Sequence, residues 1–449
     1  MTRTVLRDVE LDGRRCDVVL GDGVILEIVA RAAVSGEVVE GHGGALLPGL
    51  HDQHIHLFAA AAATRSVQLG GAPWRDVLAD ADRRLPPGEW LRVVGHDETF
   101  DGVLDRTTLD GCVSARPVKV QHRTGMLWIL NTAALHDLGI EHPTGRLLRM
   151  DRELRAHLGD DGELPDLGEF ARRLASRGVT TVTDTTPYDH PGDLAALARA
   201  VDGPEFPLAV IATGGPTLTR HRFPAPLATG PVKIVVDDHD LPPLDDAVGW
   251  VRDAHRAERS VAVHCVTRAA LAYAVAMWDV AGGRHGDRVE HGAVVPPDLA
   301  GSLARLGIAV VTQPSLVAAR GDRYLAEVDP DDLPHLWPCG SLLRAGVRVA
   351  GGSDAPYGDP DPWRSIAAAV ERRTASGAVL GAAERVTADA ALGLWLQQPD
   401  GSPRRVVVGA PADLCLLDRP LPVALADPAD VVVVGTWRSG LRTHGRPVT

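Results

Sequence analysis

Residues 47–56 of the chain read Leu47-Pro48-Gly49-Leu50-His51-Asp52-Gln53-His54-Ile55-His56. An apolar run, Ala45 to Leu47, leads through a Pro-Gly pair to two histidines two positions apart. Side chains at i and i+2 of a β-strand point to the same side, so the imidazoles of His54 and His56 face one pocket. Two imidazoles that converge in this way make half of a metal site. The alternative is a surface strand that carries two of the 18 histidines by chance.

The middle of the chain alternates short β-branched runs with stretches rich in Ala, Arg and Leu, a pattern typical of βα units around a parallel sheet. After an opening strand at about 45–54, the predicted strands are 179–184, 208–212, 232–236, 261–264, 288–291, 308–312 and 347–351. Eight such strands close a (β/α)8 barrel. The sequence therefore predicts an α/β fold, a (β/α)8 TIM barrel over residues 47–404, with an insertion after the first strand at about 57–177.

Both ends of the chain carry short strand-like runs separated by glycine turns. Residues 1–46 and residues 405–449 are each too small to bury a core alone. We therefore expect the two ends to form one small β-sandwich domain together.

Composition and charge argue against several classes of partner. The 449 residues include 46 basic and 59 acidic residues, a net charge of −13, and such a chain is repelled by nucleic acid and by anionic membranes. The five cysteines are scattered without a CxxC pair, which indicates a reducing compartment. No signal peptide and no apolar run of ~20 residues is evident. We expect a cytoplasmic protein that acts on a small molecule and binds neither nucleic acid nor membrane, with a homodimer as one candidate assembly.

Three more polar residues stand where predicted strands end. His264 closes the run 260–263, His291 closes the run 287–290, and Asp354 follows the run 349–353. The carboxyl ends of barrel strands lie on one rim, so residues 300 apart in sequence meet there. Four imidazoles and a carboxylate suit zinc or a similar divalent ion. A single histidine at the end of a strand is more often structural, but five polar residues of this kind at predicted strand ends together favour a metal site.

Motifs along almost the whole chain resemble those of the amidohydrolase superfamily and, within it, amidohydrolase family 3, the YtcJ-like metal-dependent hydrolases. They are the opening stretch with His54-Ile55-His56, Arg116-Pro117-Val118, Leu130-Asn131-Thr132-Ala133-Ala134-Leu135, Gly178-Val179-Thr180-Thr181-Val182, Val232-Lys233, Val263-His264, Glu290-His291-Gly292, Gln313-Pro314-Ser315, Gly352-Ser353-Asp354-Ala355-Pro356 and Gly409-Ala410-Pro411-Ala412-Asp413-Leu414. The resemblance implies hydrolysis of a carbon–nitrogen bond other than a peptide bond: an amide, N-acyl group, cyclic amide or carbamate.

The resemblance also implies roles for the metal ligands. Lys233 is similar to the fourth-strand lysine that binuclear members carboxylate, so that a carbamate bridges two ions. In that arrangement His54, His56 and Asp354 hold one ion, and His264 and His291 hold the other. The alternatives are a single ion, with Lys233 reaching the rim or pairing with Asp237.

The implied mechanism uses a metal-activated water molecule, with Asp354 as the general base. The alternative for Asp354 is a purely structural carboxylate after a Gly-Ser pair.

The insertion departs from the family pattern. Met126 stands where relatives commonly have a histidine, and His122 lies four residues earlier. His122 and Arg123 are candidate substrate contacts that would orient an oxyanion or a carboxylate. The alternative is that both are solvated residues of a loop. Gln313 is a further candidate substrate contact, with structural hydrogen bonding as its alternative.

Two other functions compete with amide hydrolysis. Deaminases of a nucleobase-like ring usually carry a glutamate three residues after the fifth-strand histidine, and Thr267 occupies that position here. A non-catalytic assembly protein on the same fold would have lost its ligands, whereas all five neutral or acidic ligands are present.

Overall fold

A parallel eight-stranded sheet carries the polar strand ends predicted above. The structure, a computed structural model, describes residues 3–33, 36–69, 73–148, 150, 154, 165–203 and 205–445. Their strands are β1 (Thr4–Leu11), β2 (Arg14–Gly21), β3 (Val24–Val29), β4 (Glu37–Glu40), β5 (Leu46–Pro48), β6 (Leu50–Ile55), β7 (Val67–Gln68), β8 (Leu91–His96), β9 (Val118–His122), β10 (Leu127–Leu130), β11 (Arg146–Leu148), β12 (Val179–Asp184), β13 (Ala209–Gly214), β14 (Ala228–Val235), β15 (Val261–Cys265), β16 (Arg288–His291), β17 (Ala309–Thr312), β18 (Val349–Gly351), β19 (Leu414–Leu417), β20 (Val433–Arg438) and β21 (Leu441–Gly445).

The α-helices of the described residues are α1 (Leu57–Thr64), α2 (Trp74–Arg84), α3 (Glu98–Asp101), α4 (Arg106–Asp110), α5 (Thr132–Asp137), α6 (Leu167–Ala175), α7 (Pro191–Val201), α8 (Leu244–Arg256), α9 (Arg268–Ala281), α10 (Pro297–Leu306), α11 (Ser315–Glu327), α12 (Gly340–Arg344), α13 (Pro362–Glu371), α14 (Ala388–Gly393) and α15 (Leu421–Ala426). Short 3-10 turns lie at Pro216–Leu218, Leu333–His335, Ala382–Glu384 and Pro428–Asp430. Within the described part of the chain, none of these helices is long and apolar enough to span a bilayer.

The barrel strands are β6 and β12 to β18, and neighbouring strands pair in parallel in the order β18-β17-β16-β15-β14-β13-β12-β6. Strands β6 and β12 are buried along their whole length, as expected for a parallel sheet covered on both faces. The predicted fold class, an α/β (β/α)8 barrel, is confirmed.

The first barrel strand is hydrogen-bonded to the residues that directly follow the last one. The N–H of Asp354 donates to the carbonyl of His54 over 2.8 Å. The Asp52 carboxylate accepts the N–H groups of His54 at 3.1 Å and of Ser353 at 3.0 Å. These bonds bring the two ends of the parallel sheet together at the site of the predicted ligands.

The opening strand differs from its predicted bounds of about 45–54. Residues 46–48 form β5, which pairs antiparallel with β19, and the barrel strand β6 begins only at Leu50. Gly49 lies between the two strands, where an added Cβ atom would come within 2.3 Å of the Thr180 side chain. The single predicted strand is wrong because the chain changes sheets at Gly49.

The two ends of the chain contribute two four-stranded sheets, β3-β2-β1-β4 and β21-β20-β19-β5. Side chains of both sheets share one hydrophobic cluster, which includes Leu6, Leu20, Ile25, Leu414 and Trp437. We propose that the two sheets form the small domain expected from both termini, with the bounds 1–46 and 405–449 kept as a prediction.

The chain divides into two compact units, residues 1–57 with 167–449, and residues 58–166. The second unit contains the five-stranded sheet β11-β10-β9-β8-β7. It has cores of its own, one around Leu91, Val93 and Val120 and another around Trp128 and Leu135. Residues 70–72, 149, 151–153 and 155–164 of the predicted insertion lie outside the described residues.

Candidate metal centre

The two histidines of the opening stretch converge on one carboxylate oxygen. Asp354 Oδ1 lies 3.4 Å from His54 Nε2 and 3.5 Å from His56 Nε2. His54 belongs to β6, whereas His56 follows the end of that strand. The structure thus brings together the predicted first-strand pair and the residue after β18.

His264 and His291 lie beside this group. His291 Nε2 is 3.0 Å from His264 Nδ1, and the rings of His54 and His291 have centroids 4.6 Å apart. One ligand atom from each of His54, His291 and Asp354 lies within 4.8 Å of the other two. All five predicted histidine and aspartate ligands therefore occupy one region at the carboxyl ends of the barrel strands.

Two of these residues have left-handed backbone conformations. The φ angle is +72° at His291 and +54° at Asp354, a region that costs a non-glycine residue about 1–3 kcal/mol. Neighbouring residues of a regular strand point to opposite faces, yet Glu290 contacts His54 while His291 contacts His264. The left-handed turn at His291 accounts for both side chains reaching the barrel interior.

Each of three histidines has a hydrogen-bond partner at Nδ1, and none of these pairings was predicted. His54 Nδ1 is 2.5 Å from Glu290 Oε2, and Glu290 in turn accepts from Arg288 Nε at 2.7 Å. His56 Nδ1 is 3.1 Å from Thr186 Oγ1. One signal was visible in the sequence: Arg288 and Glu290 alternate within a strand predicted to be buried, where a charged side chain needs a partner.

Gln313 is the third such partner. Its Oε1 atom lies 2.9 Å from His291 Nδ1, and its Nε2 donates to the carbonyl of Val311 at 3.3 Å. The side chain is fully buried. These contacts place Gln313 behind a histidine, and its role as a substrate contact stays a prediction.

Burial favours the neutral form of three imidazoles in the centre. It lowers the pKa of His264 to about 3, and it lowers the pKa of His54 and of His291 well below the ordinary value. A neutral imidazole is the form that binds a metal ion. These three histidines are therefore in the protonation state that can donate a lone pair to a metal ion.

Lys233 lies on β14, inside the barrel. Its side chain is buried, and its Nζ atom has no hydrogen-bond partner among the described residues. Burial is the largest cause that lowers the pKa of this ammonium group, while Glu290 raises it. The alternative considered for Lys233, a hydrogen bond from Nζ to Asp237, is not found within the described chain.

The donor set fits a divalent ion. His54 Nε2 and Asp354 Oδ1 are both buried, and within the described chain neither has a hydrogen-bond partner although they face each other. Buried polar atoms are almost always satisfied, so this pair requires a further group between or beside them. Two or more imidazole nitrogens and a carboxylate oxygen are ligands that zinc binds in proteins.

The candidate substrate contacts of the insertion belong to the second compact unit. His122 is partly buried, with its Nδ1 atom 2.9 Å from Thr124 Oγ1 and its ring against that of His96. Arg123 Nε pairs with Asp97 Oδ2 at 2.8 Å. The role of both residues as substrate contacts stays a prediction.

Thr267 has a structural function where deaminases carry a proton-transferring glutamate. Its Oγ1 atom accepts the N–H of Ala270 at 3.1 Å and so caps α9. The same hydroxyl donates to Asp238. The position therefore offers a helix cap and no carboxylate.

Known proteins share this sequence and fold. The sequence model of the amidohydrolase family matches residues 37–444. The chain is 26% identical to the N-substituted formamide deformylase of Arthrobacter pascens, over 94% of this chain and 93% of that protein. It is also 26% identical to the putative amidohydrolase YtcJ of Bacillus subtilis (strain 168), over 75% of each chain. An uncharacterised metal-dependent hydrolase from Pyrococcus horikoshii OT3 has a similar crystal structure, with a TM-score of 0.76, 18% identity and coverage of 99% of this chain and 100% of that one.

The barrel, the donor cluster and the family match together support a metal-dependent hydrolase. The chain belongs to the amidohydrolase family. The resemblance found in the motifs is thereby confirmed.

Proposed function

We propose that this protein hydrolyses a carbon–nitrogen bond of a small molecule, in an amide, N-acyl group, cyclic amide or carbamate other than a peptide. The observation that carries the proposal is the convergence of His54 Nε2 and His56 Nε2 on Asp354 Oδ1, at 3.4 and 3.5 Å. The full-length similarity to an N-substituted formamide deformylase supports the choice of bond.

The residues that would hold the ion follow from their donor atoms. His54, His56 and Asp354 would hold a first divalent ion, with zinc as the proposed metal. His264 and His291 would hold a second ion, with a carboxylated Lys233 shared between the two. The buried, unpaired Nζ of Lys233 supports this role, because a carbamate would turn an amine without a partner into an anionic ligand. A bound ion would acidify water and polarise a carbonyl group.

Asp354 would move the proton. Its Oδ1 atom faces the two first-strand histidines and has no hydrogen-bond partner within the described chain. The carboxylate would accept a proton from the attacking water molecule and deliver it to the leaving nitrogen as the carbon–nitrogen bond breaks. The hydrogen bond from the Asp354 N–H to the carbonyl of His54, at 2.8 Å, fixes this residue beside the first barrel strand.

The experiment is a hydrolysis screen of the purified protein with and without metal. N-substituted formamides, N-acyl amino acids, cyclic amides and carbamates are offered to protein loaded with zinc, to protein treated with a chelator, and to treated protein with zinc restored. The proposal predicts that at least one class releases an amine, that the chelator abolishes release and that zinc restores it. Release that is unaffected by complete removal of metal would contradict it.

A further inference from the structure

A buried carboxylate stands directly behind one of the four site histidines. Glu290 Oε2 lies 2.5 Å from His54 Nδ1, and the side chains of both residues are completely buried. The other three histidines have neutral hydrogen-bond partners at Nδ1, which are Thr186 Oγ1 for His56, Gln313 Oε1 for His291 and the His291 ring for His264. Among the described hydrogen bonds of the site histidines at Nδ1, the one to a carboxylate belongs to His54, whereas Asp354 Oδ2 lies farther away, 3.9 Å from His291 Nδ1.

The carboxylate is itself fixed. Its other oxygen, Oε1, accepts from Arg288 Nε at 2.7 Å. Arg288 is also buried, and its Nη2 donates to the main-chain carbonyl of Gln53 at 3.2 Å. Arg288 thus links strand β16 to the residue that precedes His54, so Glu290 is held in a single orientation toward the imidazole.

This arrangement determines which ring nitrogen of His54 carries the proton. A carboxylate held by a guanidinium can only accept, so Nδ1 carries the hydrogen and donates it to Glu290. The lone pair then lies on Nε2, the atom that faces Asp354 Oδ1 at 3.4 Å. A carboxylate behind a ligand histidine fixes its tautomer and raises its basicity.

We propose that Glu290 is a positioning residue, which holds His54 with its Nε2 lone pair toward the ion and makes His54 the strongest nitrogen donor of the centre. Arg288 and Gln53 keep Glu290 in place. This inference rests on the proposed metal function.

The test uses Glu290→Gln, which keeps the size of the side chain but replaces the carboxylate with an amide. The zinc dissociation constant is measured by competition with a chromophoric chelator, and a 10–100-fold increase is expected. Arg288→Met should also increase the zinc dissociation constant. Glu384→Gln is the matched control, because Glu384 is also a buried carboxylate but accepts from Ser341 instead of a site histidine. Zinc binding by Glu290→Gln equal to that of the wild type would overturn the inference.

A second measurement needs no variant. Neutron diffraction of the metal-free wild-type protein should show a deuteron on His54 Nδ1, directed at Glu290, and a deuteron on Nε2 instead would overturn the inference even if Glu290→Gln does not fold. The outcomes separate the two proposals. A wild-type protein that binds no zinc contradicts the metal function, whereas zinc binding that is insensitive to Glu290 contradicts only the positioning role.

Discussion

Gly352 passes the backbone of His54 so closely that a Cβ atom at position 352 would lie 2.8 Å from the main-chain nitrogen of His54. The next residues of the same segment, Ser353 and Asp354, hydrogen-bond to Asp52 and to His54. The close approach therefore belongs to the contact that joins the last barrel strand to the first, at the candidate metal centre.

Gly352→Ala should destabilise the protein and disturb the centre at the same time. Forcing a methyl group against a backbone costs about 1–3 kcal/mol, so we expect the free energy of unfolding in urea to fall by about that amount and zinc binding to weaken. Gly249→Ala is the control, because it lies in α8 and an added Cβ there has no described atom within 4 Å. That helical substitution should leave zinc binding unchanged and stabilise the protein by about 0.5–1 kcal/mol. If the two variants had the same unfolding free energy and the same zinc affinity, the close contact between Gly352 and the His54 backbone would be contradicted.

Asp354→Asn should remove the proton acceptor while it keeps an oxygen donor at the same place. Loss of a general base costs about 10²- to 10⁴-fold in rate, so kcat for the best substrate of the hydrolysis screen should fall by that factor. The melting temperature should change little. Asp359→Asn is the control, since Asp359 lies nearby in the chain but pairs with Arg364. Turnover by Asp354→Asn at the wild-type rate would exclude Asp354 as the base.

Lys233 allows an unusually clean test of carboxylation, because the chain contains only two lysines, Lys119 and Lys233. With ¹³C-labelled bicarbonate, the zinc-loaded protein should give one carbamate carbon signal in its NMR spectrum. Lys233→Met should lose that signal and retain one zinc ion in place of two, while Lys119→Met keeps both. A signal that survives in Lys233→Met would contradict the assignment.

The same Lys233→Met substitution, which should cost the protein one zinc ion, should stabilise the metal-free fold. A buried amine without a hydrogen-bond partner costs about 1–3 kcal/mol, and Met fills a similar volume without that cost. We expect the free energy of unfolding of metal-free Lys233→Met to exceed that of the wild type by about this amount in urea denaturation. A lower value would mean that Lys233 is satisfied in the folded protein.

The stability of the metal-free protein should depend on pH through the buried histidines. The pKa of His264 is about 3 in the fold, against about 6.5 in an unfolded chain. The unfolded state therefore binds the proton first, and stability is lost as the pH falls from about 6.5 toward 3. The slope is at most about 1.4 kcal/mol per pH unit for each such histidine. His264→Gln should show a smaller slope in urea denaturation between pH 7 and pH 4, and an unchanged slope would contradict the lowered pKa.

The clustering of the candidate ligands could be predicted from sequence because its signal is local. His54, His264, His291 and Asp354 each stand at or just beyond the end of a β-branched run, and the barrel places all such ends on one rim. The fold class followed from the same runs. Their pairing order needs no long-range information, because neighbours in a barrel are neighbours in sequence.

The residues behind the ligands could not be found in this way. Glu290 and His54 are 236 positions apart. The alternation of Arg288 and Glu290 in a buried strand indicates that Glu290 needs a partner, but it does not identify His54 as that partner. The backbone of His291 is left-handed, so the side chains of Glu290 and His291 both reach the barrel interior. This conformation breaks the alternation of side chains that a regular strand predicts. The change of sheet at Gly49 was missed because an apolar run does not reveal which strand it pairs with.

The central claim, that the four site histidines and Asp354 hold catalytic divalent metal, is tested most directly by the metal content of the purified protein. Inductively coupled plasma mass spectrometry should find at least one divalent ion per wild-type chain after extensive dialysis. The folded double variant His54→Ala/His291→Ala, which lacks two of the three clustered ligand atoms, should retain less than a tenth of that amount. A native wild-type protein that hydrolyses its substrate without bound metal, or a double variant that keeps the full complement of metal, would contradict the claim.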